Sequence, residues 1–122
     1  MKYPPVFPLA VASADVTSLL GASPTRLYPF GEAPQGVKKP YAVWQIIGGI
    51  PENYIDRAPD ADNYSVQVDV YADRSADAQN VALALRDAYE PHAHITSWNG
   101  DGRDPDTNNY RISFDLDFIV VR

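Results

Sequence analysis

Two stretches of the chain alternate apolar and polar residues with a period of two. From Tyr64 to Asp73, Tyr64, Val66, Val68 and Val70 point one way, while Ser65, Gln67, Asp69 and Tyr71 point the other. From Tyr110 to Val121 the even positions Tyr110, Ile112, Phe114, Leu116, Phe118 and Val120 face a core, and Arg111, Ser113, Asp115 and Asp117 face out. Strands of this kind belong in a sheet with one face buried and one face polar. With 122 residues the chain is expected to form a single domain, 1–122, large enough for one real core. Apolar residues at 45% and charged residues at 21% exclude disordered, collagenous and membrane-spanning classes.

The remaining elements follow from local signals. Pro5 to Gly21 reads as helical with a break, Asp15 capping the second part and Gly21 supplying a left-handed stop. Arg26-Leu27-Tyr28 is a short strand ended by Pro29. Tyr41 to Ile47 is a strand apolar on both faces, hence expected to be central or covered on both sides, and Gly48-Gly49 is expected to end it. Residues Ile50 to Asn63 have no periodicity and read as a long connection, a kind of segment that is often functional. Ser75 caps a helix whose stripe is Ala78, Val81, Ala82, Leu85 and Tyr89, and Pro91 stops it. His94 to Trp98 is a strand closed by the turn-rich run Asn99 to Gly102, and it pairs with Tyr110–Val121 as a hairpin. Strands in runs with few helices give an α+β fold: a mostly antiparallel sheet with two main helices on one face.

Chemistry is sparsely encoded. Without cysteine there is no disulfide, thiol catalyst or thiolate metal site. A net charge of −6 argues against a grip on nucleic acid; it serves solubility, or a surface that must not stick to DNA. Lys2 and Ala12-Ser13-Ala14 imitate a secretory leader, but Pro4, Pro5 and Pro8 interrupt the apolar run, so the start reads as mature, cytoplasmic protein.

His92 and His94 could pinch a metal from one strand face, yet the other ligands would have to be carboxylates, and a polar start to the strand is the better reading. Asp69, Asp115 and Asp117 lie on polar strand faces, either solvated or lining a channel. The acidic run Asp101 to Asn108 lacks the spacing and final Glu of a calcium loop and reads as a hairpin tip. Trp44, Tyr41, Tyr71 and Trp98 serve packing, or line a ligand pocket. There is neither a G-x-S-x-G elbow nor a phosphate loop, so no catalytic residue, cofactor or metal is assigned.

Arg26 to Gly36, then Pro40-Tyr41-Ala42-Val43-Trp44-Gln45, and Ser65 to Asp73 followed by Ala84-Leu85-Arg86-Asp87-Ala88 together resemble the tail completion, or tail terminator, proteins of long-tailed phages; Asp15 to Gly21 is similar to that family's N-terminal helix. The resemblance implies a non-enzymatic virion protein: a homo-oligomeric ring, usually a hexamer, assembled in the host cytoplasm at the head-proximal end of the tail. It would cap the tube built of the major tail tube protein, dock the head-closure or connector protein, and let DNA through its lumen without sequence-specific binding or any membrane role. On this reading Asp69, Asp115 and Asp117 are a candidate acidic lumen face. Tyr54-Ile55-Asp56-Arg57, an apolar pair beside charges in a polar loop, is a candidate assembly interface, or else a loop folded back on its own domain. The competing readings are another neck protein such as a stopper, a small-ligand module, and a metal-dependent hydrolase.

Overall fold

The computed structural model describes residues 3–51, 60–103 and 109–122. In chain order the elements are α1 (Val6–Val11), α2 (Ala14–Leu20), β1 (Leu27–Pro29), β2 (Tyr41–Pro51), β3 (Ala61–Ala72), α3 (Ser75–Tyr89), β4 (His94–Arg103) and β5 (Tyr110–Val121). The strands form one sheet in the order β1-β2-β3-β5-β4, antiparallel except for the short parallel pairing of β1 with β2. The fold is α+β, as the sequence predicts.

The two alternating stretches become the centre of the sheet. β3 and β5 pair along their whole length, from Ala61 opposite Val121 to Ala72 opposite Tyr110. Their valines and large apolar residues fit a pleated, half-buried surface, so Val66, Val68, Val70, Phe114 and Leu116 lie fully buried on one face. The stripe of α3 packs against that face, and α1 and α2 pack on α3 and on each other. One contiguous apolar cluster joins all three helices to the sheet.

Several local readings change. β2 does not stop at Gly48-Gly49 but continues to Pro51, with a bulge between Ile46 and Gly48; pairing with β3 holds the glycines extended despite their weak strand preference. β2 lies inside the sheet between β1 and β3, which is one of the two readings its sequence allows; it is not the one covered on both faces, because the helices lie on one side. β4 likewise runs through Asn99–Gly102 to Arg103, absorbing the turn-prone residues in a second irregularity where Gly100 takes a φ of 85°. The 50–63 connection therefore shrinks at both ends. Ser75 is the first residue of α3 rather than its cap; the capping position is Arg74, which has no side-chain cap bond, while Gln79 Nε2 donates to Ser75 Oγ at 3.3 Å.

The N-terminal helix is broken in two, and Ser13, not Asp15, caps the second part by accepting from the Val16 N–H at 3.3 Å. Gly21 stops α2 with φ 90° and ψ 162°, a conformation open essentially to glycine alone and not the left-handed helical one expected. A Cβ there would also lie 3.0 Å from the Pro24 carbonyl oxygen. The turn it permits lets Arg26 reach back: Nε donates to Pro40 O at 2.9 Å and Nη2 to Leu19 O at 3.1 Å. One guanidinium thus ties the end of α2 to the start of β2.

At the other end of the sheet, Asp62 on β3 is almost fully buried and receives two hydrogen bonds from Arg122, Nη2 to Oδ1 at 2.8 Å and Nε to Oδ2 at 3.1 Å. Those bonds hold its carboxyl below the ordinary carboxylate range, against the opposing pull of burial. A carboxyl depressed in the folded state contributes stability above its unfolded value of about 3.9, and that contribution fades as the pH falls through the folded value. Asp62→Asn should therefore melt below wild type at neutral pH, with the gap closing in melts taken below about pH 4. A gap unchanged between pH 7 and pH 3 would mean that shape and not charge holds this clasp.

Candidate functional site

The structure brings Asp69, Asp115 and Asp117 onto one surface, the sheet face without helices. Asp69 stands opposite Ser113, Gln67 opposite Asp115, and Ser65 opposite Asp117. Their electrostatic settings differ. Arg111 lies 3.4 Å from Asp69 and offsets its charge. Asp115 accepts from Asn99 Nδ2 at 3.3 Å and Asp117 from Ser65 Oγ at 2.8 Å, both neutral donors. Among the described residues no cation pairs with either. Two residues apart on β5, they place two uncompensated negative charges about 7 Å apart on one face.

Beside these acids runs a neutral row that crosses four strands. Gln45 Nε2 donates to Gln67 Oε1 at 3.3 Å, and Gln67 Nε2 donates to Ser113 Oγ at 3.0 Å. Asn99 Nδ2 reaches the same hydroxyl at 3.5 Å, and Ser97 Oγ donates to Asn99 Oδ1. The amide side chains lean over Ser113, which is why a serine on an uncovered face is only 5% exposed. Tyr41 and Tyr71 stack next to this row, 5.1 Å between centroids. The amides and hydroxyls of this row satisfy one another, while Asp69 Oδ1 beside them is buried without a hydrogen bond and, among the described residues, has only the Arg111 guanidinium at 3.4 Å.

Toward the end from which 52–59 departs, the same face turns apolar. Ile50, opposite Asn63, and Ile119 and Val121 on β5 are 64–70% exposed. The sequence reading misses these three because it places Ile50 in a loop and follows the outward positions of the last strand only as far as Asp117. The signal was present: Ile119 and Val121 sit at outward-facing positions, where Asp115 and Asp117 also lie. The candidate interface Tyr54, Ile55, Asp56 and Arg57 lies outside the described residues.

A second surface lies on the helix side, where a groove of about 460 Å³ opens between α3 and the β4–β5 edge. Gln79, Leu83 and Arg86 line it from the helix, Trp98 and Ile112 from the sheet. Trp98 stacks on the buried Phe114 ring at 5.1 Å and 11°, so one of its faces serves packing while the residue stays 41% exposed; Leu83 is 40% exposed. Trp44 lies on the same side of the sheet and packs against the core. His94 begins β4 opposite Asp117, whereas His92 precedes the strand in a turn, so the two do not share a strand face. Among the described residues no group of three His, Asp or Glu is placed to hold a metal, and no helix is long and apolar enough to cross a membrane.

The architecture recurs in a solved structure. A chain in the solved structure described as the virion of a native gene transfer agent particle superposes with a TM-score of 0.63, covering 96% of this chain and 92% of that one. At 17% identity it is a likeness of fold. No curated protein sequence matches. The family model for tail completion protein gp17 matches residues 4–121, nearly the whole of what was described above. The chain therefore belongs to the tail completion protein gp17 family and is a structural protein of a phage tail.

Proposed function

We propose that the protein, as a single domain, assembles into a closed ring, six copies around, at the head-proximal end of the tail. The ring caps the tube, ends polymerisation of the major tail tube protein, and docks the head-closure or connector protein. It acts without catalysis and assembles in the host cytoplasm. The observation that carries this reading is the family match across residues 4–121. The geometry supports it in one respect. A ring closes through two different patches on each subunit, and the described residues include unlike apolar surfaces on the two sides of the sheet, among them the Ile50, Ile119 and Val121 patch and the Leu83–Trp98 groove.

Within the ring, DNA passes the helix-free face. Asp115 and Asp117, which pair with no cation among the described residues, repel phosphate there; Asp69, paired with Arg111, contributes less. The passage needs no sequence-specific contact.

The test is electron microscopy of particles made without this gene. Overlong, uncapped tails beside filled heads are the expected result. Tails of normal length that fail to join heads would instead place the protein in the neck as a stopper. In the complemented phage, Asp115→Lys with Asp117→Lys should leave particles assembled but slow DNA ejection; ejection at the wild-type rate would remove the acids from the lumen.

A further inference from the structure

We propose that Asn99 is a site of spontaneous modification: the Gly100 nitrogen attacks its side-chain amide, ammonia leaves, and a carboxylate takes the amide's place on the helix-free face. The inference stands apart from the ring reading.

The chemistry starts from the sequence. A backbone nitrogen reaches the side-chain carbonyl carbon of a preceding asparagine most easily when its own residue has no side chain, and Asn99 is the only asparagine followed by glycine. Elsewhere the next residue is Tyr, Val or Asn. A bond from Gly100 N to Asn99 Cγ closes a five-membered imide. The Cγ–Nδ2 bond breaks, and ammonia leaves with the proton that Gly100 N gives up. Water then opens the imide. Opening at Cγ leaves an aspartate on the normal chain, and opening at the main-chain carbonyl leaves an isoaspartate whose backbone runs through the former side chain.

The fold leaves this pair room to react. Trp98 stands opposite Phe114 and Asp101 opposite Ile112, so Asn99 and Gly100 share one opposing residue, Ser113. The ladder is disrupted at such a bulge. Gly100 takes a φ of 85°, and nothing lies within 4 Å of where its Cβ would stand. The glycine can therefore turn toward Asn99 without meeting a neighbour. The next pair along, Asp101-Gly102, is held in register against Ile112 and Arg111.

The side-chain bonds favour the same step. Ser97 Oγ donates to Asn99 Oδ1, the oxygen on which negative charge develops as Cγ is attacked. The leaving nitrogen is held only by long bonds, to Asp115 at 3.3 Å and to Ser113 Oγ at 3.5 Å. Asn99 is exposed, so water for the second step has access. The product reverses these contacts. A carboxylate has no donor for Asp115, and an attraction becomes a repulsion between like charges. The net charge of −6 becomes more negative by one, on the face that already carries Asp115 and Asp117.

Purified full-length protein, kept folded at mildly alkaline pH and sampled over days, tests this. Trypsin cuts after Arg86 and Arg103, and the peptide between them has Asn99 as its only asparagine. That peptide should gain the mass of an NH-to-O exchange and split into aspartate and isoaspartate forms, while the whole protein focuses at a more acidic point. Peptides carrying Asn63 and Asn80 should stay unchanged over the same period. Ser97→Ala should slow the conversion several-fold in the folded protein and leave its rate in urea unaltered. Asn99 that stays intact in the folded protein while it converts in urea overturns the proposal, because the fold then protects the site. Conversion of Asn63 or Asn80 as fast as that of Asn99 overturns it as well. A folded Ser97→Ala protein that converts at the wild-type rate overturns the part given to Ser97.

Discussion

Phe114→Ala lowers the stability of the folded chain by about 3–5 kcal/mol. Phe114 is fully buried on the helix side of β5, the strand that pairs with both β3 and β4. Truncation leaves a cavity beneath α3 that the extended backbone, bonded on both sides, cannot collapse to fill. It also removes the ring on which Trp98 stacks at 5.1 Å, a contact worth about 0.5–1.5 kcal/mol beyond its area. For a domain whose total stability is about 5–15 kcal/mol, this is a large fraction. The companion variant Trp98→Ala costs clearly less, because two-fifths of that side chain is already in water. Urea unfolding followed by circular dichroism separates the two. Equal midpoints would mean that the stack, and not burial, dominates at this site.

Tyr89→Ala costs a similar about 3–5 kcal/mol, and Tyr89→Phe only about 0.5–1.5 kcal/mol. The ring is buried at the end of α3 and meets Phe118 edge-on, 6.0 Å between centroids at 79°. Its hydroxyl donates to the Val6 carbonyl at 3.0 Å across 83 positions of sequence. Burial pushes the phenol's ionisation far above its ordinary value. The ring therefore supplies most of the free energy, and the hydroxyl fixes where α1 sits. The Tyr89→Phe protein should show faster amide exchange confined to α1, with the sheet unchanged. Uniform acceleration throughout would assign the hydroxyl a global role.

What was legible in the sequence had a period. The alternations of β3 and β5 and the α3 stripe each bury one face, so they placed the sheet, its polar face and the helices on the other side. Asp69, Asp115 and Asp117 share that face for the same reason: strand parity, combined with the register of β3 on β5, leaves no other side for them. The errors fell where short-range preference competes with pairing. Gly48-Gly49 and Asn99–Gly102 look like turns in isolation, yet β3 and β5 carry them on as strand through bulges. The groove was not legible because its walls come from three elements, and Leu83 departs from the α3 stripe by only one position. The Arg111–Asp69 pair, which separates one acid from the other two, depends on a register that no local signal encodes.

The order in which the strands emerge during synthesis has a consequence of its own. β5 lies between β3 and β4 and is the last element in chain order. Until it leaves the ribosome, β4 has no partner and α3 rests on half a floor, so the chain holds an unfinished sheet with two open edges. Contacts such as Ala61 with Val121 then close loops of about sixty residues, which slows the final step relative to a sheet built from adjacent hairpins. The exposed apolar surfaces at Ile119 and Val121 and beside Trp98 depend on that same last strand. A nascent chain thus lacks both surfaces until β5 has been made, a delay set by strand order alone.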